Sequence, residues 1–129
     1  MTRQAIRELL ETYSDAVVRK DVVQYLSCWA ENGRRTGAGG DASGHAELGA
    51  HFTGVFGAVE QMAFFTQPAA IAVDGTNATA RSYTLEFVKG RDGSSIQVIG
   101  EYTDVLTVVN GTWVFASRHY RVVMLPSAQ

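Results

Sequence analysis

Apolar residues follow two different periods along this chain, and the change falls near residue 62. Before it, Ile6, Leu9, Leu10, Tyr13 and Val17 recur three or four positions apart, while Arg7, Glu8, Glu11 and Arg19 fall largely elsewhere. That spacing predicts an amphipathic helix over residues 3–19. The stretch "KDVVQYLSCWAENG" predicts a second, short helix. Asp21 can cap it, Gln24 completes a capping-box pattern, and Asn32-Gly33 stops it. "RRTGAGGDASG" reads as a loop with a short strand at its start. "SGHAELGAHFTGVFGAVEQM" predicts a third helix, with Leu48, His51, Phe52, Val55, Phe56 and Val59 along one stripe. Three internal glycines weaken it.

After residue 62 the period becomes two. "AFFTQPAAIAV", "ATARSYTLEFVKG", "IQVIGEYTDVLTVV" and "TWVFASRHYRVVML" read as strands, separated by the turns "DGTN", "RDGSS" and "NG". Pro68 points to an edge position or a bulge in the first of them. Helices followed by strands predict an α+β fold, with three N-terminal helices packed on one face of an antiparallel sheet. The sheet is expected to hold about four long strands plus a short one. No repeat or linker divides residues 1–129, so one domain is expected.

Two strand faces stand out. Val98, Gly100, Tyr102, Asp104, Leu106 and Val108 form an apolar face with a single acid, Asp104. Arg81, Tyr83, Leu85 and Phe87 share another face. If that face is outside, it is a large apolar patch and predicts a homodimer.

Composition narrows the classes. With 129 residues, 46% of them hydrophobic, the chain can build a sizeable core. Net charge of −2 and the absence of a basic stripe argue against nucleic acid. No apolar run approaches the roughly 20 residues of a membrane span, and "MTRQAIRELLETYS" lacks the apolar core of a secretion signal. The one cysteine, Cys28, cannot form an intrachain disulfide. It reads as a buried small hydrophobe, and a reducing cytoplasm is the expected compartment. The three His and one Cys show no metal-ligand spacing. "GAGGDASG" is not a phosphate loop, since no Lys-Ser/Thr follows.

Three motifs, in order, resemble the nuclear transport factor 2-like superfamily in its SnoaL-like branch. They are "LLETYSDAVVRKDVVQYLSCWAENG", "AVDGTNATARSY" and "GEYTDVLTVVNGTWVFASRHY". The resemblance covers nearly the whole chain. It implies a cone: a strongly curved sheet wrapped around the helices, with a pocket between. Members include ketosteroid isomerases, scytalone and bile-acid dehydratases, polyketide cyclases and a hexachlorocyclohexane dehydrochlorinase. Their shared chemistry is cofactor-independent. An acid or His moves a proton near carbon, and Tyr or a protonated acid stabilises negative charge. Other members only bind, transport or mediate assembly.

The resemblance assigns roles residue by residue. Asp104 matches the isomerases' acid that donates to the steroid oxygen. Burial of such an acid raises its pKa, so it can act as a base or a neutral donor. Its alternative is a structural bond to Arg118 on the next strand. Tyr13 matches the oxyanion-binding Tyr, with core packing as the alternative. Asp21 matches the catalytic Asp of the dehydrochlorinase and dehydratases, but Phe64 stands near the dyad His position. The isomerase base would fall in "RRTGAGG", where glycine stands and Asp41 is displaced. Arg118 matches a substrate-facing position and suits an anionic group. Tyr102, Trp29, Tyr120, Phe56, Phe64 and His51 are the expected walls. His119 faces outward if Asp104 and Arg118 share the pocket, and His45 is expected to be exposed.

The leading expectation is a cofactor-free isomerase, lyase or cyclase. Asp104, Tyr13, Asp21 and Arg118 would be its polar residues, and its substrate a small, apolar or aromatic, cyclic metabolite. A non-catalytic binding protein or a dimeric assembly module is the alternative.

Overall fold

A computed structural model describes residues 2–126. Helices α1 (Thr2–Arg19) and α2 (Val22–Ser27) are followed by strands β1 (Trp29–Gly37) and β2 (Ala42–Ser43) and then by helix α3 (Gly44–Gly57). Four long strands follow: β3 (Val59–Asp74), β4 (Asn77–Gly90), β5 (Ser95–Val109) and β6 (Thr112–Met124). All six form one sheet in the order β2-β1-β6-β5-β4-β3. Only the β1–β6 pair is parallel. The fold is α+β, and the sheet curves without closing. Ile6, Leu10, Leu48 and Phe52 of the helices meet Ala80, Leu106 and Phe115 of the sheet in one core.

The second helix is shorter than its sequence suggests. It ends at Ser27, and "WAENG" belongs to β1, so two strands replace the expected short one. Tertiary pairing explains the change. The Phe115 amide donates to the Cys28 carbonyl at 2.7 Å, and β1 covers the open side of β6. Trp29 and Ala30 are thereby buried. Only half of the expected capping box forms. Asp21 Oδ1 accepts from the Gln24 amide at 3.0 Å. The Asp21 N–H is already bonded to the Ala16 carbonyl, so the Gln24 side chain turns to the Thr12 carbonyl and Asp15.

Pro68 lies on an edge strand and beside a register shift, both as its missing N–H requires. A second shift sets the facing of β6. Val105 pairs with Ser117 but Leu106 pairs with Phe115, which leaves Ala116 as a bulge. The extra residue turns Phe115 and Arg118 to the same interior, and His119 is exposed, hydrogen-bonded to the Thr36 hydroxyl at 2.9 Å.

On β4, Ser82, Thr84 and Glu86 are buried while Tyr83, Leu85 and Phe87 are exposed. The middle of this strand thus turns three polar side chains inward and three large ones outward. Gly100 on β5 leaves room beside that polar row. A Cβ there would lie 2.4 Å from the Tyr120 ring and hydroxyl. Gly100→Ala is expected to displace the Tyr120 ring and to cost about 1–3 kcal/mol by overpacking. Urea unfolding checks this, and an unshifted midpoint would mean that the ring moves freely.

Candidate active site

Asp104 and Arg118 stand opposite each other on β5 and β6, 0% and 1% exposed. Arg118 Nε donates to Asp104 Oδ1 at 2.8 Å, and Nη2 donates to Oδ2 at 3.1 Å. The guanidinium carbon lies 4.3, 3.7 and 4.2 Å from the ring centroids of Tyr13, Tyr102 and Phe115. The cation is therefore both paired and enclosed by aromatic rings. Burial pushes Asp104 up, against the opposing pull of Arg118. Burial pulls Arg118 down, but the Asp104 charge and the two phenols outweigh it and leave Arg118 above its ordinary value. One shift favours a neutral acid and the other an ionised pair. The fork decides for the ionised pair, because only a carboxylate accepts on both oxygens.

A cavity of about 260 Å3 lies between the inner sheet face and the helices. Tyr13, Tyr102, Tyr120, Phe56, Phe64 and His51 line it, as six of the sequence-based candidates. Asp104, Arg118, Asp21 and Trp29 are not on its wall. Asp21 caps α2. Trp29 sits in the core, its ring 6.4 Å from Tyr13 and 5.9 Å from Tyr25. The Tyr13 and Tyr102 hydroxyls are 3.3 Å apart. Burial holds both phenols well above their ordinary range, so they stay protonated as donors. His51 Nε2 is hydrogen-bonded to the Gly39 carbonyl at 2.8 Å. His45 is half-buried rather than exposed, because its ring bonds to the Trp29 carbonyl at 3.0 Å. Asp41 accepts from the Gly37 amide and stays in the loop. Burial pushes the Cys28 thiol up to about 11, as for a core residue.

Two further polar residues line the cavity, Glu86 and Arg35. Glu86 is 8% exposed. Its Oε2 accepts from the Tyr120 hydroxyl at 2.5 Å and from the Thr84 hydroxyl at 2.7 Å. Among the described residues, no cation lies within 4.0 Å of it. Burial, then the Glu86 hydrogen bond, keeps the Tyr120 phenol protonated. Glu86 was legible in the strand alternation: an outward Arg81-Tyr83-Leu85-Phe87 face requires an inward Glu86. Arg35 carried no such signal, because "RRTGAGG" has no clear period. A larger depression of about 430 Å3 near Leu125 and Pro126 holds no acid or His. Among the described residues, no group of three His, Cys, Asp or Glu is placed to hold a metal. No described helix is long and apolar enough to cross a membrane.

The curved sheet, the three helices and the cavity between them define the cone-shaped class of nuclear transport factor 2-like proteins. The chain belongs to the SnoaL-like domain family, whose model matches residues 1–119. Among solved structures, one provisionally assigned as an aromatic ring hydroxylase from Novosphingobium aromaticivorans is 25% identical, with a TM-score of 0.89 over 96% of this chain and 91% of that one. A protein from the same species, provisionally assigned as a scytalone dehydratase, is 19% identical, with a TM-score of 0.89 over 99% and 88%. A type 2 hexachlorocyclohexane dehydrochlorinase is 16% identical, with a TM-score of 0.88 over 97% and 87%. No functionally curated protein matches the sequence.

The buried pair makes a stability prediction. Asp104→Ala leaves the Arg118 charge unpaired and is expected to cost about 3–5 kcal/mol. Replacing both partners, as Asp104→Leu with Arg118→Met, is expected to recover most of that loss. Denaturant unfolding of the single and double variants checks the pattern.

Proposed function

We propose that this protein is a cofactor-independent acid/base enzyme of isomerase or lyase type, acting on a small, largely apolar, cyclic metabolite. Glu86 is the proton-moving group. The observation that supports this is a buried carboxylate on the wall of an otherwise mainly apolar cavity, hydrogen-bonded to two hydroxyls and to no cation. A carboxylate placed so on a mainly apolar wall is positioned to accept a proton from an acidic C–H bond. Glu86 takes the proton, and the electron pair moves onto the adjoining carbonyl oxygen. A Tyr13 or Tyr102 hydroxyl donates to that oxygen. The proton then returns at another carbon, or a leaving group departs from the carbon beyond.

Asp104 and Arg118 serve this chemistry from behind the wall, by fixing the rings of Tyr13 and Tyr102. The Asp21 dyad has no counterpart here, since Phe64 presents a ring where the resemblance calls for a His. Loss of the general base from an enzyme costs about 10²–10⁴ in rate. In heavy water, the wild type is expected to accelerate deuterium incorporation into 2-tetralone, a bicyclic ketone with acidic C–H bonds. Glu86→Gln should reduce that acceleration by about 10²–10⁴. Nuclear magnetic resonance follows the exchange. An unchanged rate in the variant removes Glu86 from the chemistry, and no acceleration by the wild type favours the non-catalytic binding protein.

A homodimer is proposed alongside. Phe65, Tyr83, Leu85 and Phe87 are exposed together on the outer sheet face, with Phe65 paired to Leu85 across strands. An apolar patch of that kind marks an interaction surface, and a two-fold axis lets one patch cover its own copy. Sedimentation at micromolar concentration is expected to give a dimer that Leu85→Lys converts to monomer. A monomeric wild type would remove the proposal.

A further inference from the structure

Arg35 is a buried charge without a counter-charge. It is 7% exposed, on the inner side of β1. Its guanidinium donates through Nη1 to the Gly40 carbonyl at 2.5 Å and through Nη2 to the Ala38 carbonyl at 2.7 Å. These neutral acceptors hold the fork in place. They do not neutralise it. Among the described residues, no carboxylate lies within 4.0 Å. Asp41, close in the chain, is turned to the Gly37 amide. Glu86, on the same cavity, is bonded to Tyr120 and Thr84. The contrast with Arg118, forked onto Asp104, is sharp.

The loop supplies the hold. Gly37, Gly39 and Gly40 have φ of +100°, +91° and +107°, conformations that residues with a side chain rarely adopt. This left-handed run folds the Ala38 and Gly40 carbonyls back onto Arg35. Arg35 lines the cavity, and its guanidinium carbon is 5.7 Å from the Tyr120 ring centroid. Its charge also lowers the pKa values of Tyr13, Tyr25 and Tyr102, against the larger effect of burial. The field of Arg35 therefore reaches across the cavity. An uncompensated buried cation is costly unless something pairs with it. Two N–H groups are spent on carbonyls, and a guanidinium has five.

We propose that the cavity binds an aromatic or alicyclic carboxylic acid, with Arg35 pairing the carboxylate and the apolar walls enclosing the ring. The planar fork fits a carboxylate better than it fits a neutral carbonyl or a single hydroxyl. Tyr120 lies between the anion-binding end and the proton-moving end, its hydroxyl bonded to Glu86 and its ring centroid 5.7 Å from the Arg35 guanidinium carbon. The ring of the ligand spans that separation, which places its carboxylate away from Glu86. Only the position of the reacting carbon rests on the acid/base reading of Glu86. The carboxylate preference does not.

The test compares 2-naphthoate with 2-naphthamide, which match in size and differ in charge. Calorimetric titration of the wild type at neutral pH is expected to show at least about tenfold tighter binding of naphthoate, the equivalent of 1.4 kcal/mol. Arg35→Met should erase the difference between the two ligands, and Arg35→Lys should keep part of it. Glu86→Gln should retain or strengthen naphthoate binding, since it removes a like charge. That result separates failure of the catalytic reading from failure of this one. Equal affinities of the wild type for the two ligands, or no naphthoate binding below millimolar, would overturn the proposal without reference to any variant.

Discussion

The bidentate contact between Asp104 and Arg118 is the constraint around which the interior is arranged. Two opposite charges, both excluded from water, are tolerated only when geometry and hydrogen bonding are nearly complete. Cross-strand register supplies the geometry, since the two residues are direct partners on β5 and β6. Tyr13, Tyr102 and Phe115 then enclose the guanidinium, each ring within 4.3 Å of its central carbon. The bulge at Ala116 is required by this arrangement. Without it, Phe115 and Arg118 would lie on opposite faces, and either the ring or the charge would be lost from the interior. The pair links α1 to the centre of the sheet and fixes the tyrosines of the cavity wall.

Arg118 is neutralised and enclosed, and the other charged groups of the interior, Glu86 and Arg35, lie further along the sheet on the cavity wall. Tyr102 pairs with Ser82 and Tyr120, and one step further Gly100 pairs with Thr84 and Val122. The gap above Gly100 admits the Tyr120 ring, whose hydroxyl reaches Glu86. A small residue on one strand thus lets a large one on the next meet an acid on a third. Glu86 and Arg35 both line the cavity, with Tyr120 bonded to the first and its ring centroid 5.7 Å from the guanidinium carbon of the second. Both charges face a mainly apolar space, where electrostatic interactions are stronger than in water.

The SnoaL-like fold places a cavity between sheet and helices, but the fold by itself does not specify which polar groups line it. Phe64 lines the cavity as an apolar wall, where the resemblance would place a dyad His. Asp21 is held as a helix cap, with its oxygen on the Gln24 amide. The segment that would carry the isomerase base is here a glycine-rich loop folded around Arg35. The two known arrangements are therefore each incomplete, while Glu86 and Arg35 form a set that neither resemblance suggests.

Periodicity made most of the architecture legible. The helical stripe of Ile6 to Val17, the meander of long strands and the edge position of Pro68 follow from local spacing and from the missing proline N–H. The inward facing of Asp104 follows from alternation in the same way, and Glu86 was readable by that rule. Other features had no local signal. "WAENG" continues the helical reading up to its Asn-Gly stop, yet it is strand because β6 offers an unpaired edge and Trp29 is buried beside Phe115. The parity of Arg118 against Phe115 depends on a bulge that only pairing with β5 reveals. Whether Asp104 is a free acid or one half of an ion pair depends on a residue 14 positions away. Local spacing specifies which face a side chain takes. Which partner it meets there depends on how strands distant in the chain are registered, because charges and hydrogen bonds act over a few ångströms of space and take no account of sequence separation.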